Sequence, residues 1–447
     1  MYDAVYAGRV PMSSAGLLLG AVLLALLAPA IAPRQPGPRR AGRLVAALVV
    51  FLARIPLTLN DPQQRLAAAL LIVAGAGIYL ATRFREAPWD IMRALVVGLV
   101  FDQVLRAFGH TYDVTLRPSW WLIQLGLSFA LCLLALGVIW KRMPVGTEAP
   151  VRPGLLGGLA WGGWLFLETS LLAYPNAVAR WSGVPYAVAA PLLLVVTLLM
   201  LMEGGRSSAT WGRLVRIAAR LLLLACLVAG YLLSGAIAFV SLLVAHCAAL
   251  ILLPDCFPLR REGQKDLLGF SLSLGGIVFL LLGLAYGFAF NYAYTAAFLR
   301  DTGLFIFLVA AILASLPSLR RSSLPVQTTP LLDSSWAGAF AVSLIILVTF
   351  IVWPRALRPP AEGGQLRAAT YNVHYGYDSA WHLSLEAQAE IIEASGADVV
   401  ALQEVDTGRP TSYMIDDALW LGQRLGMDSV YLPTVEHLTG IALLSRY

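Results

Sequence analysis

A chain of 447 residues that is 59% hydrophobic and 13% charged, with mean hydropathy +0.74, is not an ordinary soluble protein; soluble domains carry about 25% charged residues. The formal charge of +6 would suit a nucleic-acid binder, but nearly all of it is arginine in short connections between apolar runs, where it reports membrane topology. Cys132, Cys226, Cys247 and Cys256 lie in or beside those runs, form no CxxC pair and read as small membrane-core residues.

Apolar runs of about 17–24 residues recur, the length that crosses ~30 Å of hydrocarbon. About twelve spans are expected, at 14–33, 44–60, 65–82, 89–109, 119–140, 154–174, 185–202, 213–232, 235–253, 267–289, 302–317 and 334–353. The odd-numbered connections hold sixteen positive residues: Arg34, Arg39, Arg40, Arg43, Arg83, Arg85, Lys141, Arg142, Arg152, Arg206, Arg213, Arg260, Arg261, Lys265, Arg320 and Arg321. The N-terminus and the even-numbered connections hold five, Arg9, Arg65, Arg117, Arg180 and Arg300. Positive charge stays cytoplasmic, so the odd connections are expected inside and both the N-terminus and the C-terminal segment outside. Arg355 and Arg358, just past the last run, pull the other way. Ala28-Pro29-Ala30 resembles a signal-peptide cleavage site, but the four arginines that follow favour an uncleaved span.

Ionisable residues inside spans are functional candidates. Asp102, Arg106 and His110 share one helix face at i, i+4 and i+8, and Asp102 can pair with Arg106. Arg54 and Glu168 sit in two other runs, and in the expected orientation all five lie in the outer half of the membrane. Two readings stay open: a polar pocket that holds a lipid head group, or mutual neutralisation that fixes helix packing. His246 stands alone near mid-span and reads as a satisfied core histidine. Pro254 to Lys265 and Arg320 to Ser335 are polar connectors that could divide the bundle into sub-bundles.

After 1–353, the multi-span region, residues 354–365 form a linker rich in proline and glycine. Leu366 to His374 reads as a strand, Ser384 to Ala397 as a helix closed by Gly396, and Val399 to Leu402 as a buried strand. Tyr413 to Met427 reads as a second helix, with further strands at Tyr431 and Gly440 to Ser445. Strand, helix, strand sets the two strand ends side by side, with Asn372 near one end and Glu404 at the other. A carboxylate beside a carboxamide suits Mg²⁺ (or Mn²⁺), which takes one or two carboxylates and keeps waters and substrate phosphate. Equally, Asn372 could cap a turn and Glu404 be a solvated strand-end acid.

Thr370-Tyr-Asn372-Val-His-Tyr-Gly376, Asp398-Val-Val-Ala-Leu-Gln-Glu404-Val and Gly440-Ile-Ala-Leu-Leu-Ser-Arg446-Tyr resemble the opening motifs of the endonuclease/exonuclease/phosphatase superfamily, the DNase-I-like group. The resemblance implies the N-terminal part of a four-layer α/β phosphoesterase domain over 366–447, with Asn372 and Glu404 in a metal and phosphate site. It also implies further motifs, a catalytic histidine among them, that these residues do not contain. His374, His382 and His437 fall outside the matching positions, His374 nearest. The expectation is an incomplete domain that is inactive as it stands. A multi-span region followed by such a domain is similar to Cwh43-like, PGAP2-interacting membrane proteins, linked to lipid remodelling of GPI anchors.

The function expected is therefore a membrane-anchored, Mg²⁺-dependent phosphoesterase acting on a membrane lipid or lipid-linked phosphoester. Nucleic acid is disfavoured, because Arg367, Arg409, Arg424 and Arg446 are outnumbered by acids in the tail and form no basic patch. The alternatives are a transporter or lipid scramblase with an accessory tail, and an acyl- or ceramide-transfer machine that uses both halves.

Overall fold

The computed structural model describes residues 14–140, 153–203, 212–258, 265–290, 296–319, 334–354 and 365–447. Arg9, Lys141, Arg142, Arg152, Arg206, Arg260, Arg261, Arg320, Arg321, Arg355 and Arg358 of the topology argument lie outside the described residues, as does the linker from 355 to 364.

The apolar runs fold as helices in chain order: α1 Ala15–Leu27, α2 Pro36–Leu57, α3 Pro62–Phe84, α4 Pro88–Phe108, α5 Trp121–Trp140 and α6 Gly154–Leu167. A short amphipathic helix that the sequence reading left as a connection follows, α7 Pro175–Ser182. Then come α8 Tyr186–Glu203, α9 Arg213–Leu232, α10 Gly235–Leu252, α11 Leu268–Ala289, α12 Gly303–Ser315 and α13 Ser334–Val352. Six stretches are long and apolar enough to cross a membrane: Pro62–Phe84, Pro118–Ile139, Gly154–Leu172, Arg213–Leu232, Gly235–Cys256 and Leu268–Ala289. Four more apolar helices, Gly16–Ile31, Tyr186–Met202, Gly303–Ser315 and Trp336–Val352, are shorter. The fold thus fits a multi-pass membrane protein with six candidate spans rather than an established twelve. Two long helices fall outside the count because of their charge: α2 carries Arg39, Arg40, Arg43 and Arg54, and α4 carries Asp90, Arg93, Asp102 and Arg106.

The bundle is built around α6, which buries Ala160, Trp161, Trp164, Phe166 and Leu167. Lipid tails are as apolar as leucine, so helices in a membrane associate through close packing, which small residues permit. Gly162 and Gly163 serve this purpose: an added Cβ would stand 2.5 Å from the Gly275 carbonyl of α11 and 2.4 Å from the Ala310 carbonyl of α12. Trp161, Trp164, Phe166, Tyr286 and Phe307 fill the remaining space, with Trp161 stacked on Trp164 at 5.4 Å.

The C-terminal segment is a small α/β unit: β1 Ala368–Asn372, α14 Leu385–Ser395, β2 Val399–Asp406, α15 Asp417–Leu425, β3 Asp428–Val435 and β4 Thr439–Ser445. The sheet order is β1-β2-β4-β3, with β1 parallel to β2 and the other pairs antiparallel. Helices α14 and α15 pack Leu385, Ala389, Ile392, Ala418 and Leu421 against Val400, Leu402, Ala442 and Leu444 on one face. The other face exposes Val430, Leu432, Ile441 and Leu443. The second sheet that a four-layer sandwich requires is not present among the described residues. Two limits differ from the sequence reading. Strand β2 runs on to Asp406, and α15 begins only at Asp417, because Asp416 caps it by accepting the Leu419 N–H at 2.9 Å while Tyr413 and Met414 take left-handed backbone.

Gly163→Leu is expected to abolish the monodisperse species seen by fluorescence-detected size-exclusion chromatography. Gly98→Leu is expected to leave it intact, because no atom lies within 4 Å of a Cβ there. A wild-type profile for Gly163→Leu would refute the close packing of α6 on α12.

Candidate functional site

Asn372 closes β1 and pairs in register with Gln403, so Glu404 stands one residue from it across the strands. The ladder between β2 and β4 is regular up to Leu402 and resumes at Val405, leaving Gln403 and Glu404 in a bulge. Leu402 and Val405 are both buried on the helix-covered face. Two residues between two inward positions turn both side chains outward, toward the face that carries Thr370 and Asn372. Gln403 confirms the direction by donating to Thr370 Oγ1 at 2.8 Å.

Glu404 therefore sits within a strand, at a bulge, and not at the strand end that the spacing suggests. Its φ of +54° is left-handed backbone on a non-glycine residue. That conformation costs about 1–3 kcal/mol and clusters at functional sites, where bulges re-aim side chains. His374 and Tyr375, just past Asn372, also have positive φ, 49° and 57°. Asn372 Oδ1 accepts the His374 N–H at 2.8 Å, so the turn-capping role is realised and half of the amide oxygen's capacity remains. Among the described residues no three His, Cys, Asp or Glu side chains gather into a metal-binding group. Glu404 and Asn372 supply two oxygen donors, which fits Mg²⁺ retaining most of its waters.

The histidines have other surroundings. His374 packs on Trp381 at 4.5 Å, and His382 Nδ1 lies 3.2 Å from Asp378 Oδ2. His437 stacks on Trp181 of α7 at 4.9 Å, and burial holds its imidazole below the ordinary histidine value.

The loops that follow β1 and β2 rest on the helical bundle. Asn60 donates to the Leu383 carbonyl at 3.0 Å. Asn176 Nδ2 donates to the carbonyls of Thr407 and Met414 at 3.2 and 2.9 Å. Arg180 grips Asp416 through Nε at 2.6 Å and Nη2 at 3.0 Å. The Asp416 N–H donates to Thr111 Oγ1 at 2.9 Å, and Arg106 Nη1 donates to the Tyr413 carbonyl at 3.2 Å. Glu436, in the β3–β4 turn, accepts from Tyr231 Oη and from the Gly303 N–H at the start of α12. Every bundle residue in this seam lies at one end, where α2, α4, α9 and α11 finish and where α3, α7 and α12 begin. The carboxyl ends of β1 and β2 thus point into the bundle, and Asn372 and Glu404 stand on the rim of the sheet that faces it.

The intramembrane candidates do not converge on one pocket. Arg54 exchanges hydrogen bonds with Gln124 of α5 at 3.3 and 2.9 Å. Asp102 and Arg106 pair at 2.9 Å, with Arg106 reaching on into the seam. His110 lines a groove between α4 and α13. Glu168, the first residue of a π-helical turn at Glu168–Leu172, is fully buried against His246, Oε2 to Nδ1, at 2.8 Å. His246 Nε2 lies 3.0 Å from Thr197 Oγ1, which accepts from Gln103 at 3.1 Å. So His246, read alone in the sequence as a satisfied core residue, is satisfied by Glu168 and Thr197.

Asn176, Arg180 and the buried acids Asp406, Asp416 and Asp417 escape the sequence reading, which counts Arg180 only as connection charge. The one local signal was the Asp416-Asp417 pair ahead of a helical pattern, a cap signature. Asp417 is fully buried, and burial, then the neighbouring Asp406 carboxylate, raises it well above the ordinary carboxyl value. Burial likewise raises Asp406, opposed by Arg409.

Residues 364–447 match the family model described as the PGAP2IP C-terminal nuclease-like domain. The C-terminal unit is thus of the endonuclease/exonuclease/phosphatase type, and the apolar helices before it fit the multi-span architecture that the sequence resemblance implies.

Arg180→Ala leaves the buried Asp416 carboxylate without its cation, a loss of about 3–5 kcal/mol. The C-terminal unit is expected to unfold or detach at lower denaturant, read by protease cleavage in the linker, with Asp416→Asn restoring part of the loss in the double variant. A second expectation concerns pH. Asp417 is raised in the fold, so the neutral carboxyl's contribution is complete below its ordinary value of 3.8 and is lost as pH climbs through the raised one. The melting temperature of the C-terminal unit should fall with rising pH across that window in the wild type, and fall less in Asp417→Asn.

Proposed function

We propose that the C-terminal unit supplies the metal-binding side of a membrane-anchored phosphoesterase that acts, with Mg²⁺, on a phosphoester carried by a membrane lipid. The observation that carries the reading is the strained bulge that turns Glu404 outward beside Asn372 on the rim facing the bundle. Ligands of open α/β sheets bind beyond the carboxyl ends of the strands. Here those ends are held against the bundle, so a substrate in the membrane surface meets the site at a high effective concentration and a soluble one does not.

Glu404 supplies the negative oxygen and Asn372 the neutral one. When bound between them, the ion would polarise a phosphoryl oxygen and stabilise the charge that develops there. Around them, Gln403 and Thr370 offer hydrogen-bonding groups on the same face, and the Asx turn at Asn372 holds its amide in place. The charge pattern agrees with a lipid and disfavours nucleic acid: Arg409 lies 3.7 Å from Asp406, Arg424 pairs with Glu386 and Glu393, and Arg446 lies 3.6 Å from Asp398. Those arginines are occupied by carboxylates rather than arrayed for a phosphate backbone.

The orientation proposed remains extracytoplasmic for the N-terminus and the C-terminal unit. Its support is the asymmetry of the bundle. The end away from the C-terminal unit carries a cluster of arginines, with Arg43 and Arg83 on Glu86 and Arg85 on Asp266. The end beneath that unit is poorer in positive charge, as the positive-inside rule requires of the translocated side.

A second reading is favoured by one observation, the buried chain Gln103–Thr197–His246–Glu168, since intramembrane carboxylate–histidine chains mark transport pathways. Lipid flipping or solute uptake that survives deletion of residues 359–447 would favour a transporter or scramblase.

Full-length chain in lipid nanodiscs is expected to bind Mn²⁺, followed by electron paramagnetic resonance as a stand-in for Mg²⁺. Glu404→Gln should weaken that binding by at least about tenfold, since even outer-shell partners of a metal are worth that much. Where hydrolysis is measured, membrane-borne phosphodiesters should be cleaved in preference to soluble ones. Equal rates on both would sink the lipid assignment.

A further inference from the structure

A groove of about 920 Å³ runs along the outside of the bundle between the end of α4 and the second half of α13, lined by Phe108, His110, Ile346, Thr349, Phe350 and Trp353 among others. Helix α13 is two-faced. Ala341, Val348 and Val352 are buried, whereas Ile346, Phe350 and Trp353 are 63%, 82% and 66% exposed. The hydroxyl of Thr349 is spent within the helix, donating to the Ile345 carbonyl at 2.7 Å, so the groove floor is apolar. At its upper end the groove reaches His110, where α4 has stopped and the backbone turns left-handed, with φ 48° at His110 and 78° at Thr111. Thr111 is already part of the seam, accepting the Asp416 N–H, and Arg106 one turn below reaches Tyr413. The groove is therefore continuous with the interface between the bundle and the C-terminal unit.

We propose that this groove holds one acyl chain of a membrane lipid and places the lipid's polar head at the seam. Within hydrocarbon no hydrophobic effect distinguishes lipid from protein, so retention has to come from shape and from a polar anchor. The groove supplies both: apolar side chains of α4 and α13 that contact a chain from two sides, and a polar end at His110 level with Trp353, an indole suited to the membrane interface. A helix of a second copy is a poorer occupant. Helices approach closely across small residues, as α6 does through Gly162 and Gly163, whereas the outer stripe of α13 is Trp336, Phe340, Ile346, Phe350 and Trp353. The proposal deepens the lipid-phosphoester reading and rests on it for what becomes of the lipid, though not for the lipid's presence.

The test uses the full chain in nanodiscs of phosphatidylcholine with a photoactivatable diazirine in the upper half of one acyl chain. After irradiation, adducts are mapped by peptide mass spectrometry. Adducts at Ile346, Phe350 and Phe108 should exceed severalfold those at Leu122 and Leu134 of α5, which are 63% and 67% exposed. Thr349→Trp, which fills the groove, should remove the excess, and Thr349→Val should keep it. Labelling that merely follows exposure on both helices overturns the proposal. So does an excess that Thr349→Trp leaves in place, a cross-link from α13 to a second copy, or one to residues 1–13 or 355–364 of the same chain. Glu404→Gln should not alter the labelling. Mn²⁺ binding that fails while the labelling stands overturns the phosphoesterase reading alone, and labelling that fails while Mn²⁺ binds overturns the groove alone.

Discussion

The bidentate pair between Arg180 and Asp416 is the contact on which the arrangement of the two halves depends. Asp416 carries three duties at once: its carboxylate takes the guanidinium of α7, the same carboxylate caps α15, and its N–H binds Thr111 beyond the end of α4. A carboxylate buried to this degree is tolerated only with its charge met and its lone pairs filled. The pair therefore specifies a position more than it contributes net stability. Asn176, one turn earlier on the same short helix, holds two carbonyls of the same loop, so α7 acts as a bracket between the spans and the sheet. Because that loop leaves the end of β2, fixing it also fixes the bulge two residues upstream.

Helix α7 owes its own position to the turn before it. The π-helical turn at Glu168–Leu172 inserts an extra residue where α6 meets the carboxylate–imidazole pair of Glu168 and His246. Such turns are found mostly at functional sites. A carboxyl group in the bundle interior is costly unless it is hydrogen-bonded. The pair thus joins α6 to α10 by a polar contact that has no substitute in the surrounding leucines, and the chain reverses directly beyond it into the bracket. Packing in the membrane and docking outside it are consecutive along one stretch, residues 154 to 182.

Much of this architecture was legible in the sequence, because span length, loop arginines, capping acids and strand alternation are local signals. The helix α14, the parallel pairing of β1 with β2 and the nearness of Asn372 to Glu404 all follow from spacing. The bulge does not. It exists only because β4 pairs with β2 out of step beyond Leu402, and register with a strand some forty residues away leaves no mark in the local pattern. Likewise Glu168 and His246 were each visible as polar residues in apolar runs, but their pairing is a property of how α6 crosses α10. Arg180 was read by its charge alone. It was counted among the five positive residues of the N-terminus and the even-numbered connections, and it is committed to a buried carboxylate.

The two faces of the sheet make the last constraint. The inner face is covered by α14 and α15 and the rim meets the bundle, so among the described residues Glu404 and Asn372 are reached across the outer face. That face is apolar along β3 and β4 at Val430, Leu432, Ile441 and Leu443, and polar only near the β1–β2 end. A soluble catalytic unit with such a surface would risk association through it, and the edge strands add unpaired backbone to that risk. Arg180, Asn176 and Glu436 hold the unit that carries this face at one end of the bundle. On the reading proposed above, an apolar face and a polar corner with a strained carboxylate, both held at one end of the bundle, are jointly what an amphiphilic phosphoester needs. Neither of them would suffice for it.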